Sequence, residues 1–384
     1  MEANSLNITH IANFKDVCTG CMACIKSCPV NCISCTKDEE GFYYPVVEYE
    51  KCVDCSKCVK VCPAEKQAKI TKPISVSAGY SVDEAVRASG SSGGLIVELS
   101  KQIIADGGVV YGAAFDAQKK RVCHTSTQEV SLEKLSRSKY VQSDTSDVHL
   151  AVKNSLEEDK TVLFCGTPCQ VEGLVSFLGK NYPKLITVDF FCHGVQSVDF
   201  FEKTLYFYEE QSSKKIQDVI FRDKKDGWHK LALNICYFDG TEQRVPSGEQ
   251  PYYYYFLKNY SLRKSCYLCQ RYRTHVSDIT VADYWTINKS YDEDKGVSLI
   301  LVNTPWGENA FKKIEDKIKT VPVKEDFDFS IYKHNYSLKN REKFFSDYKT
   351  KGFDYVCGNS FQKLANKNNT INIIKQKVVR LLRK

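Results

Sequence analysis

Leu95, Ile96, Leu99, Ile103 and Ile104 recur at the three-to-four-residue spacing of one helix face, and the spacing predicts a helix there. Gly107 and Gly108 stop it, and the apolar run VVYGAAF that follows predicts a buried strand. The alternation then repeats. TVLFC (161–165) reads as a strand, Gly-Thr-Pro as a turn and VEGLVSFL as a helix. LITVDFF (185–191), DITVADYW (278–285) and VSLILVN (297–303) read as further strands, and Ala310–Ile318 as a helix. Strands alternating with helices predict a mixed or parallel sheet with helices packed on it. Before Gly79 the rhythm is set by cysteines instead, over residues 17–68, and KITKPISVS (Lys69–Ser77) reads as a linker. Residues 250–273 are rich in Tyr and show no clear period. The expected architecture is α+β, divided into a cysteine-rich domain (1–72), an α/β mixed-sheet domain (78–335) and a basic helical tail (336–384).

The length, 384 residues, exceeds what one small core organises, which fits two or three domains. With 42% hydrophobic and 26% charged residues the chain has the balance of a soluble globular protein. No apolar run approaches the ~18 residues of a membrane span, and MEANSLNITHIANF lacks the basic and apolar regions of a signal peptide. The expected location is therefore the cytoplasm. There, eighteen cysteines point to metal rather than disulfides, above all because ten of them lie between Cys18 and Cys62.

Those ten include two copies of one pattern. Cys18, Cys21, Cys24 and Cys28 precede Pro29; Cys52, Cys55, Cys58 and Cys62 precede Pro63. Both copies read C-x2-C-x2-C-x3-C-P. Two-residue gaps let one tight loop bring three thiolates to three corners of a cubane, while the fourth cysteine ligates the other cluster. One [4Fe-4S] cluster is thus expected on Cys18, Cys21, Cys24 and Cys62, and a second on Cys52, Cys55, Cys58 and Cys28. Zinc sites pair separated C-x2-C units instead. Cys32 and Cys35 read as small buried residues beneath the clusters. A cubane core of about +2 on four thiolates is a dianion, so two clusters bring the formal +7 to about +3. No basic patch interleaved with aromatics accompanies that residual charge, and no nucleic-acid partner is expected.

In the second half, Ser89, Gly90, Ser91, Ser92, Gly93 and Gly94 form a small-residue loop at a helix N-terminus. Such a loop exposes N–H groups to an anion, although Gly/Ser loops also serve as plain turns or caps. His193 is a candidate proton donor or a support for a cluster, with a structural role as the alternative. Asp283 and Trp285 would shape a pocket or fill a core. The C-terminal INIIKQKVVRLLRK is basic and amphipathic; it would touch an anionic membrane surface or, more commonly, pack on its own domain.

Five motifs occur in order: ASGSSGGL (88–95), SKYVQSD (138–144), FCGTPCQVEGL (164–174), DFFCHGVQS (189–197) and CYLCQRYRTHVSDITVADYW (266–285). Their succession resembles the beta subunits of coenzyme F420-reducing hydrogenases and dehydrogenases, a wider family that includes flavin-dependent chlorophyllide reductases. The resemblance runs from about residue 17 to about residue 330, because many members carry a ferredoxin-type domain in front. It departs at Gln196, where the family commonly has Pro, and at Ala282 and Thr286, where it has Gly; these bear on the substrate pocket more than on the fold.

The resemblance implies bound FAD exchanging electrons with iron–sulfur clusters. Ser89, Ser91, Ser92, Gly93 and Gly94 would then face the dinucleotide, and Lys139 and Gln142 would contact phosphate or flavin, unless they belong to an exposed loop. Members without the ferredoxin-type domain are still iron–sulfur flavoproteins. This implies a third [4Fe-4S] cluster from Cys169, Cys192, Cys266 and Cys269, with Cys165 as a substitute for Cys169. Zinc at Cys266 and Cys269, or plain buried thiols, remain the alternatives. Cys123, Cys236 and Cys357 read as structural. The expected function is an FAD-dependent iron–sulfur oxidoreductase of a small-molecule substrate, fed by a redox partner such as ferredoxin. The alternative is a non-catalytic electron-relay subunit.

Overall fold

The computed structural model describes residues 11–65, 72–271, 274–323, 332, 336–362 and 364. In the cysteine-rich part, helices α1 (Ala23–Ser27) and α2 (Lys57–Lys60) flank an antiparallel hairpin of β1 (Ile33–Lys37) and β2 (Tyr43–Val47). The chain continues through β3 (Ser75–Ser81), α3 (Glu84–Ser89), α4 (Leu95–Ala105) and the hairpin β4 (Val109–Asp116)–β5 (Arg121–Ser126). After α5 (Leu132–Leu135) and α6 (Val148–Glu157) come β6 (Val162–Cys165), α7 (Pro168–Leu178), β7 (Leu185–Phe190) and α8 (Val198–Ser212). A second, three-stranded sheet follows, of β8 (Ile216–Ile220), β9 (Ala232–Tyr237) and β10 (Glu242–Pro246), and then α9 (Pro251–Leu257). The last elements are β11 (Ile279–Asp283), α10 (Lys289–Asp292), β12 (Ser298–Val302), α11 (Pro305–Lys312), β13 (Ile318–Val321) and α12 (Leu338–Tyr355).

The large sheet has the order β13-β3-β12-β11-β7-β6-β4-β5. Its centre, β4-β6-β7-β11, is parallel; its flanks are antiparallel. The mixed α/β class expected from the alternation of strands and helices is the observed one. Strands covered on both faces must be apolar on both, and Val162, Leu163 and Phe164 of β6 are all fully buried. Leu163 packs with Leu95, Leu99 and Ile103 of α4 on one face, while Val162 and Phe164 pack with α6 and α7 on the other. A third, aromatic core joins α8, α9, α12 and the small sheet around Phe200, Tyr252, Tyr255 and Phe344.

Three expectations change. Ser75–Ser77, assigned to the linker, begin β3, where Ser77 pairs with Ile300. The helix expected over Ala310–Ile318 is α11, which starts earlier: Thr304 Oγ1 accepts the Gly307 N–H at 3.1 Å and Pro305 takes the first helical position. Ile318 instead opens β13 against β3. The Tyr-rich stretch gains its order from burial of Tyr252, Tyr253 and Tyr255 on α9. The basic segment INIIKQKVVRLLRK lies outside the described residues. Among the described residues no helix is long and apolar enough to cross a membrane.

Candidate functional site

The cysteine runs close into two rings. Cys18, Cys21, Cys24 and Cys62 line one small cavity, together with Cys35. Cys28, Cys52, Cys55 and Cys58 line another, together with Cys32. The fourth cysteine of each run thus stands in the other run's ring. The loops suit that purpose: Gly20, Met22 and Ser56 are left-handed, which turns the chain sharply between successive cysteines. Backbone N–H groups of Val30, Asn31 and Cys32 surround Cys28, holding its thiol below its ordinary value against burial. Burial pushes Cys24 well above its ordinary value, and Cys21, Cys18 and Cys62 around it push further. Among the described residues no three or more His, Cys, Asp or Glu side chains gather as a metal ion requires; the cysteines ring cavities instead.

A third gathering lies in the second half. Cys169 sits in the first turn of α7, set by a capping box between Thr167 and Gln170 with Pro168 between them. Cys192 follows β7, Cys266 lies within the turn Lys264–Leu268, and Cys269 immediately follows it. Burial drives the Cys192 thiol well up, and Cys266, Cys169 and Cys269 are the neighbouring thiols that add to it. Burial likewise lifts Cys266 to about 12, with Cys269 and Cys169 contributing. Cys169, Cys266 and Cys269 thus all lie in the neighbourhood of Cys192. Backbone N–H groups donate to two of the sulfurs, Gly194 at 3.3 Å to Cys192 and Arg271 at 3.5 Å to Cys269, and the Cys169 sulfur shares a hydrogen bond of 3.2 Å with Thr167 Oγ1. Four partly buried cysteines, two of them with backbone N–H groups on their sulfurs, would suit a thiolate-bound metal group, whose charge offsets the cost of removing sulfur anions from water. Cys165 stands apart, at the end of β6 on the wall of the large cavity. Cys21 and Cys169 lie near one another, and α7 packs directly on the first ring at Gly173.

The large cavity measures about 570 Å³, within the range of small-molecule sites. It opens at the carboxyl ends of parallel strands β6, β7 and β11, the usual position for ligands in such sheets. Gly166 and Thr167 after β6, Phe191–Gly194 after β7, Asp283 at the end of β11 and Trp285 beyond it line the cavity. Cys192 belongs to both this wall and the four-cysteine gathering. Opposite, Ser91, Ser92, Gly94 and the start of α4 face it. An eleven-residue helix offers its N-terminus to the cavity, and Lys139 lines it as well, features that suit an anionic group.

Several sequence-derived roles shift. Ser89 ends α3, gives its hydroxyl to Val86 O at 2.9 Å, and does not line the cavity. Ser92 Oγ donates to Val297 O at 2.7 Å, and Ser91 Oγ accepts the Ser138 N–H at 2.7 Å. The loop's hydroxyls are thus spent internally. A Cβ on Gly93 would stand 2.5 Å from Gly79 O and 2.9 Å from Ser298 N, so Gly93 is needed for packing on β3 and β12 rather than for approach of a ligand. Gln142 does not line the cavity either: its Nε2 donates to Gly20 O at 3.4 Å and its Oε1 accepts from Arg263 at 3.1 Å. It joins the cysteine-rich part to the sheet. Lys139 does line the cavity, with its ammonium on Lys134 O at 2.8 Å and Ser136 O at 2.5 Å; burial draws it down to about 7. His193 lines it as well, its Nε2 bonded to Phe256 O at 3.2 Å. Gln196 is fully buried and bonded to Ser261 and Tyr140, outside the lining, whereas Ala282 is part of it.

Sequence reasoning missed the arginines. Arg263 and Arg271 flank Cys266 and Cys269 in the chain, and that adjacency was the available signal. Arg271 Nε meets Glu172 at 2.6 Å, and its Nη2 donates to Pro63 O at 3.4 Å, beside Cys62. Arg222, 3% exposed, bonds Tyr140 OH at 3.1 Å and Asp283 at 3.2 Å under the Trp285 ring.

Residues 159–326 match the family described as the C-terminal part of the coenzyme F420 hydrogenase/dehydrogenase beta subunit, and residues 17–66 match the 4Fe-4S dicluster domain. No curated protein matches the chain. Among solved structures, a chain of the F420-reducing [NiFe] hydrogenase complex from Methanosarcina barkeri is similar, at 15% identity and a TM-score of 0.45, over 74% of this chain and 91% of that one.

Proposed function

We propose that this chain, whose residues 159–326 belong to the coenzyme F420 hydrogenase/dehydrogenase beta-subunit family behind a 4Fe-4S dicluster domain, is an iron–sulfur flavoprotein oxidoreductase subunit. The observation that carries the reading is the shared position of Cys192, in the four-cysteine gathering and on the wall of the 570 Å³ cavity. In this reading Cys18, Cys21, Cys24 and Cys62 hold one [4Fe-4S] cluster, and Cys28, Cys52, Cys55 and Cys58 a second. Cys169, Cys192, Cys266 and Cys269 hold a third, and the cavity holds FAD. Bound there, the clusters supply one-electron transfer and the flavin its junction with two-electron hydride chemistry.

The chain's own residues supply placement. Backbone N–H groups at the start of α4 receive the dinucleotide's phosphates, and Lys139 adds a cation that titrates near neutrality. Phe191 and Trp285 give the cavity flat apolar walls that exclude water from a ring system. His193 positions the 191–194 loop through Phe256 O and is the candidate proton donor at the cavity. A redox partner protein would meet the most exposed ring, where Cys55 is accessible.

The test is replacement of Cys266 and Cys269 by Ser in anaerobically purified protein. About four of roughly twelve iron atoms per chain should be lost while the dicluster iron stays. Unchanged iron in that variant, or stoichiometric zinc in the wild type, would remove the third cluster from the account.

A further inference from the structure

Arg263 immediately precedes the turn that carries Cys266, and its own carbonyl accepts the Cys266 N–H at 3.0 Å. Its guanidinium is fully buried. Nε donates to Cys18 O at 2.8 Å, Nη1 to Tyr43 O at 3.0 Å and to Gln142 at 3.1 Å, and Nη2 to the sulfur of Cys18 at 3.4 Å. Its Cζ lies 4.0 Å from the centroid of the Tyr44 ring. Among the described residues no carboxylate pairs with it. Burial opposes its charge; Cys18 foremost, then Tyr44 and Cys266, sustain it. A buried cation with only neutral partners is costly, so this site calls for a nearby anion. Arg271 differs: its guanidinium is matched by Glu172 at 2.6 Å.

We infer that Arg263 is a positioning residue for electron transfer, a buried cation that biases the cluster on Cys18 toward its reduced state at the junction with the Cys266 gathering. The inference rests on the cluster assignments proposed above. A dianionic cluster on Cys18 supplies the counter-charge that Arg263 lacks. In return, the cation and its N–H···S bond favour the form with the extra electron, since net charge and hydrogen bonds to sulfur set cluster potentials. The same side chain ties Cys18 and Tyr43 to Gln142, so the bias sits where the cysteine-rich part meets the sheet.

The experiment is a potentiometric titration of the full-length, anaerobically purified protein, followed by electron paramagnetic resonance, for wild type, Arg263→Lys and Arg263→Gln. In Arg263→Gln one cluster should show a reduced-to-oxidised ratio lower by about tenfold at fixed potential, or about 59 mV for a one-electron couple. Arg263→Lys should recover most of it, and the cluster on Cys28, Cys52, Cys55 and Cys58 should not move. Arg263→Gln with full iron and unchanged potentials overturns the inference and leaves the cluster assignments standing. If that variant loses iron, wild type grown with ¹⁵N-guanidino arginine decides. Electron spin-echo modulation of the reduced protein should show a nitrogen coupling that changes with the label, and its absence overturns the inference. Wild type without iron overturns the assignments and the inference together.

Discussion

Gly173 lies in the middle of α7, where glycine costs a helix about 1 kcal/mol relative to alanine. Gly173→Ala should therefore stabilise the helix, were the space open. It is not: an added Cβ would stand 2.9 Å from both Cβ and Sγ of Cys21 and 3.6 Å from Cβ of Ala23. Non-bonded carbon contacts settle near 3.5–4.0 Å, so Cys21 or the helix must retreat by roughly 0.6–1.1 Å. Cys21 is poorly placed to yield, because Thr145 Oγ1 donates to its carbonyl at 2.8 Å. Overpacking of this kind costs about 1–3 kcal/mol, which offsets the propensity gain and leaves a net loss of about 0–2 kcal/mol. Iron should respond more sharply than stability, since metal–ligand distances tolerate only about 0.2 Å. The expected outcome is loss of about four iron atoms per chain, with the other clusters and the cavity intact. Iron analysis, sulfide analysis and a melting curve test it. Full iron with a raised melting temperature would refute the reasoning.

Other predictions are independent of that contact. Burial draws the Lys139 ammonium from 10.5 to about 7, so between those values the unfolded chain binds more protons than the folded one. Lys139 thus adds stability as pH rises from about 7 toward 10.5, and urea melts of Lys139→Met against wild type should show a smaller rise over pH 7–9. Arg341, 4% exposed, donates Nε to Leu262 O at 2.9 Å and pairs with Glu40, joining α12 to the hairpin end. Arg341→Ala strands that carboxylate and should cost about 3 kcal/mol in denaturant unfolding; a loss under a few tenths would show the pair to be idle. Cys21→Ser and Cys55→Ser should each disturb a different cluster, distinguishable by electron paramagnetic resonance.

The sheet was legible because its central strands are buried on both faces and therefore read as unbroken apolar runs, as in TVLFC and VSLILV. The linker boundary was not, since SVS in β3 is polar and owes its strand state to pairing with β12. The small sheet and α8 were missed because short segments such as IQDVI, in which only Ile216 and Val219 are buried, give weak signals. The exchange of the fourth cysteine between the two runs could be read from spacing, and the structure lines each of two cavities with that grouping. Gln142 and Ser89 could not be placed: sequence marks them as polar residues in suggestive motifs, and only the packing shows that their bonds go to Gly20 and Val86. Arg263 shows the converse, an ordinary basic residue in sequence that burial makes exceptional.

The central claim is that three cysteine sets and one cavity of this chain hold clusters and flavin together. The anaerobic visible spectrum of the purified full-length protein, with iron, sulfide, zinc and flavin quantified on the same sample, tests it most directly. The account predicts roughly twelve iron and twelve sulfide per chain, one FAD and no stoichiometric zinc, with flavin and cluster absorbance both bleaching on reduction. About eight iron atoms without flavin would leave only the dicluster domain and contradict the assignment of the second half.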